Sequence, residues 1–201
     1  LNSGFIFLIF LLNTILLPLD LSNIQDLTNW EKIQDEPVKI EWTKHKGFPI
    51  RRSEAILGHP IDKVFNTIQS LESYPEIFHR VKRAIRLDID IVQIMLDLPF
   101  PFSGRDYVIR YETKRQENQY ILLFWSVNHK DEMKSEGYVR LPNACGIWLL
   151  DPINNSETRV IYCWNGELLG NFPNFGLKEA WITQGTEVLQ WLDKSLKENK
   201  L

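Results

Sequence analysis

Residues 171–198 read NFPNFGLKEAWITQGTEVLQWLDKSLKE, and the spacing of their apolar positions decides the architecture. Leu177, Ala180, Trp181, Val188, Leu189, Trp191, Leu192 and Leu196 fall on one broad helical stripe. Asn171 or Phe172 sits in the cap region, and Pro173 lies near the first turn, where a missing N–H is harmless. Lys194, Lys197 and Lys200 suit the negative pole of the helix dipole. A helix of roughly 25 residues at about 1.5 Å per residue spans almost 40 Å, long enough to cross an entire sheet.

The preceding ninety or so residues supply that sheet. Strands are expected near 81–89, 91–98, 105–115, 119–129, 135–150 and 157–169, with Gly, Asn and acidic residues at 116–118, 130–132 and 152–156 marking turns. Long strands joined by short connections, without intervening helices, predict an antiparallel meander. Further upstream, Ile24, Leu27, Trp30 and Ile33 have helical spacing. A strand through Val38, Ile40 and Trp42 follows, then a Lys46-Gly47 turn, a strand from Pro49 to Leu57, and a helix beginning at Pro60 that buries Val64, Phe65, Ile68 and Leu71. The class is therefore α+β: a curved antiparallel sheet wrapped around a long C-terminal helix. An internal apolar cavity remains wherever side chains fail to fill the space between them.

Two segments are expected. Residues 1–22 form an apolar leader, in which Phe5 to Leu17 reads FIFLIFLLNTILL and Pro18 follows. That run is shorter than the roughly 20 residues a spanning helix requires and resembles a signal-peptide core. It implies export, periplasmic or secreted, or a membrane tether; a cytoplasmic location follows if the segment is not a signal. Residues 24–199 form one domain, with no linker or internal repeat.

A net charge of −3 gives no basic field to attract nucleic acid. Cys145 and Cys163 cannot make a disulfide framework. If residues 151–158 form a hairpin turn, the two lie opposite or nearly opposite each other, either as a pair or as two buried thiols. No GxSxG, HExxH, P-loop or GxGxxG motif is present, and His45, His59, His79 and His129 lack metal-ligand spacing. No catalytic residue, metal or cofactor is expected.

The run Leu98-Pro99-Phe100-Pro101-Phe102-Ser103-Gly104-Arg105-Asp106-Tyr107-Val108 resembles the Pro-aromatic-Pro…Ser-Asn-Arg-Asp-aromatic-Val segment of START (StAR-related lipid-transfer) domains, with Gly104 in place of the usual Asn. Gly137-Tyr138-Val139-Arg140 resembles a later strand of that family, and Gly170-Asn171-Phe172-Pro173-Asn174-Phe175 its Gly-x-x-Pro-x-aromatic lead into the last helix. The likeness covers about residues 27–198. It implies a helix-grip fold around a tunnel for a sterol, phospholipid or ceramide, with the last helix as a lid. Residue by residue, Arg110 occupies the place of a cavity arginine of sterol-binding relatives. The acid that pairs with it there is missing from Val92-Gln93-Ile94, leaving Gln93 as the nearest polar substitute and Asp97 as a weaker one. Phosphatidylcholine-binding members use an Arg and an Asp where this chain has Pro75 and His79, so that headgroup site does not carry over.

The ligand-binding candidates are thus Arg110, Gln93, Trp164, Phe175 and Trp181. Arg110 shares a strand face with Asp106 and Val108; it either faces the cavity or makes an ion pair on the solvent face. Phe172, Phe175 and Trp181 either gate the cavity or staple the helix to the sheet. Trp148, Tyr162 and Trp164 line the tunnel in one of the two possible registers. Arg105-Asp106 ties the start of its strand to its neighbours. The basic run from His79 to Arg86 is either a charged strand edge or a docking patch for anionic headgroups. The expected partners are a hydrophobic ligand and a transient membrane surface, with the chain a monomer. The expected function is non-catalytic lipid binding or transfer. The alternatives are a cavity enzyme of the cyclase type, with His129 or Asp97 as suspects, and an interaction module with a collapsed cavity.

Overall fold

The computed structural model describes residues 19–133 and 136–198. In chain order the elements are β1 (Glu31–Gln34), β2 (Lys39–His45), β3 (Phe48–Leu57), α1 (Ile61–Gln69), α2 (Tyr74–Ile77), β4 (Val81–Asp88), β5 (Ile91–Leu96), β6 (Gly104–Gln116), β7 (Gln119–Ser126), β8 (Tyr138–Arg140), β9 (Cys145–Asn154), β10 (Glu157–Asn165) and α3 (Leu177–Glu198). The strands form one sheet in the order β1-β2-β3-β10-β9-β7-β6-β5-β4, and β8 adds alongside β6. Every neighbour pair is antiparallel except β6 with β8. This is the helix-grip architecture, with α3 held against the concave face.

Local chemistry explains the connections. His45 pairs with Phe48, so Lys46 and Gly47 are the whole β2–β3 loop. Both have positive φ, 50° and 89°, as a two-residue turn matching the strand twist requires. Pro60 caps α1, and Val64, Phe65 and Ile68 give that short helix a buried face.

Both faces of the sheet's middle are covered. The concave face carries Ile40, Ile94, Ile109, Leu122, Trp148, Leu150 and Val160 against α1, α2 and α3. The convex face carries Ile50, Leu123, Ile147, Leu149, Ile161 and both cysteines, under a cover of Leu19, Leu21, Ile24, Leu27 and Trp30. Consequently β9 is buried without interruption from Cys145 to Leu150, as is β10 from Val160 to Asn165, the pattern of strands packed on two sides.

Several sequence expectations shift. The helix expected over 24–33 is a single 3₁₀ turn, Ile24–Asp26, and Glu31–Gln34 joins the sheet as β1. So short a segment gains little from helical propagation, and pairing with β2 satisfies its backbone. The strand expected over 135–150 is two, β8 and β9, divided around Pro142. The last helix begins at Leu177, after a 3₁₀ turn at Asn174–Gly176, and has 22 residues. Cys163 stands opposite Ile147, not Cys145; both thiols are free and buried on the convex face. Leu19 and Leu21, within the segment read as leader, pack into the convex core; the apolar run from Phe5 to Leu17 lies outside the described residues. No helix among the described residues is long and apolar enough to cross a membrane.

Candidate functional site

Between the concave face and α3 lies a cavity with aromatic walls, because the inward positions of β6, β7, β9 and β10 carry Tyr107, Phe124, Trp148, Tyr162 and Trp164. Trp148 stacks on Tyr162 with centroids 4.1 Å apart, and on its other side lies 6.3 Å from Phe78. Gln184, Val188 and Trp191 of α3 form the roof. The cavity volume is about 50 Å³, room for a few waters, so anything of lipid size enters only if the roof moves.

The roof is held to the start of β4 by two contacts. Arg80 donates through Nε and Nη2 to the two carboxylate oxygens of Glu187, at 2.6 and 2.7 Å. His79 stacks on Trp191 at 4.9 Å. The basic run is therefore partly committed within the molecule: Arg86 pairs with Glu72 and donates to the Ile89 carbonyl, while Lys82 and Arg83 remain exposed. Polar groups in the wall are few. Burial pushes the phenols of Tyr74, Tyr107 and Tyr162 up, the last to about 12. They stay neutral near pH 7; Tyr74 donates to the Ile68 carbonyl at 2.7 Å.

Beside this cavity lies Arg51, which the sequence reading overlooked. It is 0% exposed. Its guanidinium lies over the rings of Trp164 and Tyr162, at 4.8 and 5.4 Å from their centroids. Nη1 donates to the Trp181 carbonyl at 3.3 Å, and Nε and Nη2 have no well-aligned hydrogen-bond acceptor among the described residues, although the Tyr162 hydroxyl lies near enough to favour the cation. Burial drives its pKa down to about 10, which still leaves it charged at neutral pH. The Trp164 indole N–H and the Ser53 hydroxyl are also buried without partners. The signal for this residue was present as the doublet Arg51-Arg52: on a strand, consecutive residues face opposite sides, so one of the two had to point inward.

A model of the START domain matches residues 31–200. The chain belongs to the START domain family. Solved structures with the same fold include a StAR-related lipid transfer protein fragment from Xanthomonas axonopodis, 19% identical, with TM-score 0.72 over 85% of this chain and 99% of that one. Human StAR-related lipid transfer protein 5 is 17% identical, with TM-score 0.78 over 90% and 92%. The Zhui aromatase/cyclase of Streptomyces sp. R1128 is 11% identical, with TM-score 0.51 over 76% and 96%. A curated relative, an uncharacterized protein of Pseudomonas aeruginosa, is 28% identical over 80 residues, and the match spans 40% of each chain.

In this START domain the carried-over pair lies outside the cavity. Tyr107 and Ile109 line the cavity, so Asp106, Val108 and Arg110 of β6 face the other way. Arg110 is exposed and pairs with Asp90 at 2.9 Å. Gln93, opposite Val108 in the register, is fully buried on that same outer side. It donates to Asp106 at 3.0 Å and to the Met133 carbonyl at 2.9 Å, and accepts from the Met133 N–H at 2.8 Å. Gln93 thus holds the connection before β8 to the sheet. Arg140 completes the group, donating to Asp106 from Nε and Nη2 at 3.0 and 2.7 Å.

The other candidates divide. Trp164 lines the cavity. Trp181 is buried and donates to the Gly166 carbonyl at 2.8 Å; a Cβ on Gly166 would lie 2.6 Å from that indole nitrogen, so Gly166 makes room for a staple between α3 and the sheet. Phe175 is 92% exposed on the 3₁₀ turn before α3 and touches no cavity wall, whereas Phe172 packs on Phe102 at 4.5 Å. Arg105 turns inward at the start of β6 and donates to the carbonyls of Leu168 and Leu169, pinning the approach to α3. Asp97 is exposed and accepts from Tyr138 at 2.8 Å, and His129 accepts from the Asp131 N–H in the connection before β8. Neither lies in the cavity wall.

Proposed function

We propose that this START domain holds a hydrophobic small molecule in its internal cavity without transforming it, and releases it to another membrane by lifting α3. The observation that carries the reading is the aromatic cavity closed by a roof whose β4-side fastening is one partly buried bidentate ion pair and one ring stack. A pair of that kind contributes on the order of 1 kcal/mol, so opening that side costs little compared with unfolding. The lipid-transfer proteins that share its fold support the same reading. Against a cyclase-type reaction stands the composition of the wall: the lining residues include no carboxylate and no histidine, so a general base is missing there.

Lipid extraction and mass spectrometry of the purified protein, followed by transfer of a labelled lipid between donor and acceptor vesicles, tests the proposal. Co-purifying or transferred lipid is expected. A protein that carries nothing and takes up nothing from vesicles overturns it and favours the second reading, an interaction module with a filled interior, to which the small closed volume points. We further infer that the chain acts as a monomer and that the apolar run from Phe5 to Leu17 exports or tethers it. N-terminal sequencing of the mature protein after cell fractionation tests the latter, and an intact N-terminus on a soluble cytosolic product sinks it.

A further inference from the structure

Arg51 is a buried cation without a counter-ion. Its surroundings are Trp164 and Tyr162 beneath the guanidinium, Ser53 and Ile40 at its side, and the Trp181–Gly185 turn of α3 above. None of these is acidic. The nearby carboxylates are engaged on the other face of the sheet, Glu41 with Arg52 and Lys39, and Glu54 with Arg159. A buried charge left without a counter-charge is strongly destabilising, and among the described residues the hydrogens of Nε and Nη2 meet no well-aligned acceptor, although the neutral Tyr162 hydroxyl favours the cation. Those two nitrogens form one edge of the guanidinium, the edge that grips two oxygens of a single oxyanion in parallel.

We propose that Arg51 anchors the head of the ligand, and that the ligand is an amphiphile ending in a carboxylate. The proposal rests on the ligand-binding reading above and deepens it. Charge supports it: one fixed cation is neutralised by one carboxylate. α3 comes so close at Gly185 that a single added carbon would lie 3.1 Å from Nη1 and 2.5 Å from the Ser53 hydroxyl, so a head group reaches the Nε–Nη2 edge only as α3 moves away. A planar carboxylate needs less displacement than a phosphodiester, which carries a further substituent beyond the phosphorus. Trp164 and Tyr162, the rings beneath Arg51, are also walls of the apolar cavity, so the body of the ligand continues from the guanidinium into aromatic surroundings. Gln184, next to Gly185, stands in the same wall.

Competition against the neutral fluorophore phenylnaphthylamine on the full domain tests this, with palmitate, methyl palmitate and palmitoyl lysophosphatidate as competitors. Palmitate is expected to displace the probe at a concentration at least tenfold below that of its methyl ester. In Arg51→Met the preference disappears through loss of palmitate binding, with the ester unchanged. The empty Arg51→Met protein is expected to melt several degrees above the wild type, because the unpaired charge is gone; a merely structural arginine would give the opposite shift. Equal displacement by palmitate and its ester on the wild type, or a preference that survives Arg51→Met, overturns the proposal, and stronger displacement by lysophosphatidate overturns the choice of carboxylate. If the ester and the probe bind without any acid preference, this inference fails while the ligand-binding reading stands; if no amphiphile binds, both fail. Should Arg51→Met not fold, the acid-against-ester comparison on the wild type decides alone.

Discussion

Arg51 and Arg52 are adjacent in the chain and lie on opposite faces of the same sheet, and the two faces treat them differently. On the convex face Arg52 donates to Glu41 and lies 4.4 Å from the centroid of Trp30. Around it the cover from Leu19 to Trp30 lays apolar side chains onto the sheet. On the concave face Arg51, Ser53 and Trp164 all carry buried polar atoms without partners, beside a cavity. On one face the arginine is satisfied within the chain, and on the other it is left with an open hydrogen-bonding edge.

That contrast can be broken at several places, and the largest effects are expected at two neighbouring positions of β9. Ile147→Ala removes a fully covered side chain and is expected to cost about 3 kcal/mol in urea unfolding, with ligand uptake intact. Trp148→Ala, one residue on, facing inward and as fully covered, is expected to cost at least as much stability and to change uptake as well. An altered uptake for the first and an unaltered one for the second would erase the distinction between the faces.

Next in size is an alkaline effect from the two convex thiols. Burial raises both from the ordinary 9.0 to about 12. A thiol that stays protonated in the folded protein supports folding fully below pH 9. That support is withdrawn as the unfolded thiol ionises and the pH climbs toward 12, by about 1.4 kcal/mol per thiol at pH 10. Urea midpoints at pH 8 and pH 10 should separate accordingly, and Cys145→Ala with Cys163→Ala should abolish that part of the difference.

The arginine doublet gives a smaller pair of opposite signs. Arg52→Met is expected to lose about 2 kcal/mol, since it strips charged hydrogen bonds from the nearly buried Glu41. Arg51→Met is expected to gain about 1 kcal/mol or more in the ligand-free protein. Matching signs in thermal melts would mean that the two arginines play equivalent parts. Smallest of all, Glu187→Gln is expected to cost about 0.5 kcal/mol, while speeding exchange of bound ligand measurably in a stopped-flow assay.

Much of the architecture could be read from periodicity. The change from strand to helix spacing near residue 171 and the turn residues between strands place α3 and most of the sheet. What escaped depended on tertiary contacts. The segment at 24–34 has a helical spacing, but its backbone is better satisfied by adding β1 to the sheet edge, and Leu27 and Trp30 reach the convex core from outside a helix. The cavity was legible only as a class of residues. Trp148, Tyr162 and Trp164 were recognisable candidates, but nothing in the sequence fixed which residues of β6 face inward. The family resemblance directed attention to Arg110 and Gln93, and the register turned both outward. Arg51 required only the alternation of side chains along a strand, applied to a doublet of arginines.

The staple at Trp181 has a mechanical consequence. With its indole fixed to the Gly166 carbonyl and tilted against Trp42 at 5.5 Å, the N-terminal end of α3 is riveted, whereas the Glu187–Trp191 stretch is held at the β4 side by Arg80 and His79. The far end is tied as well, where Lys63 donates to the Leu196 carbonyl at 2.7 Å and His59 meets Asp193 at 3.2 Å. A beam held at both ends bows in its middle, so the span from Gln184 to Trp191 over the cavity is where the roof yields with least loss.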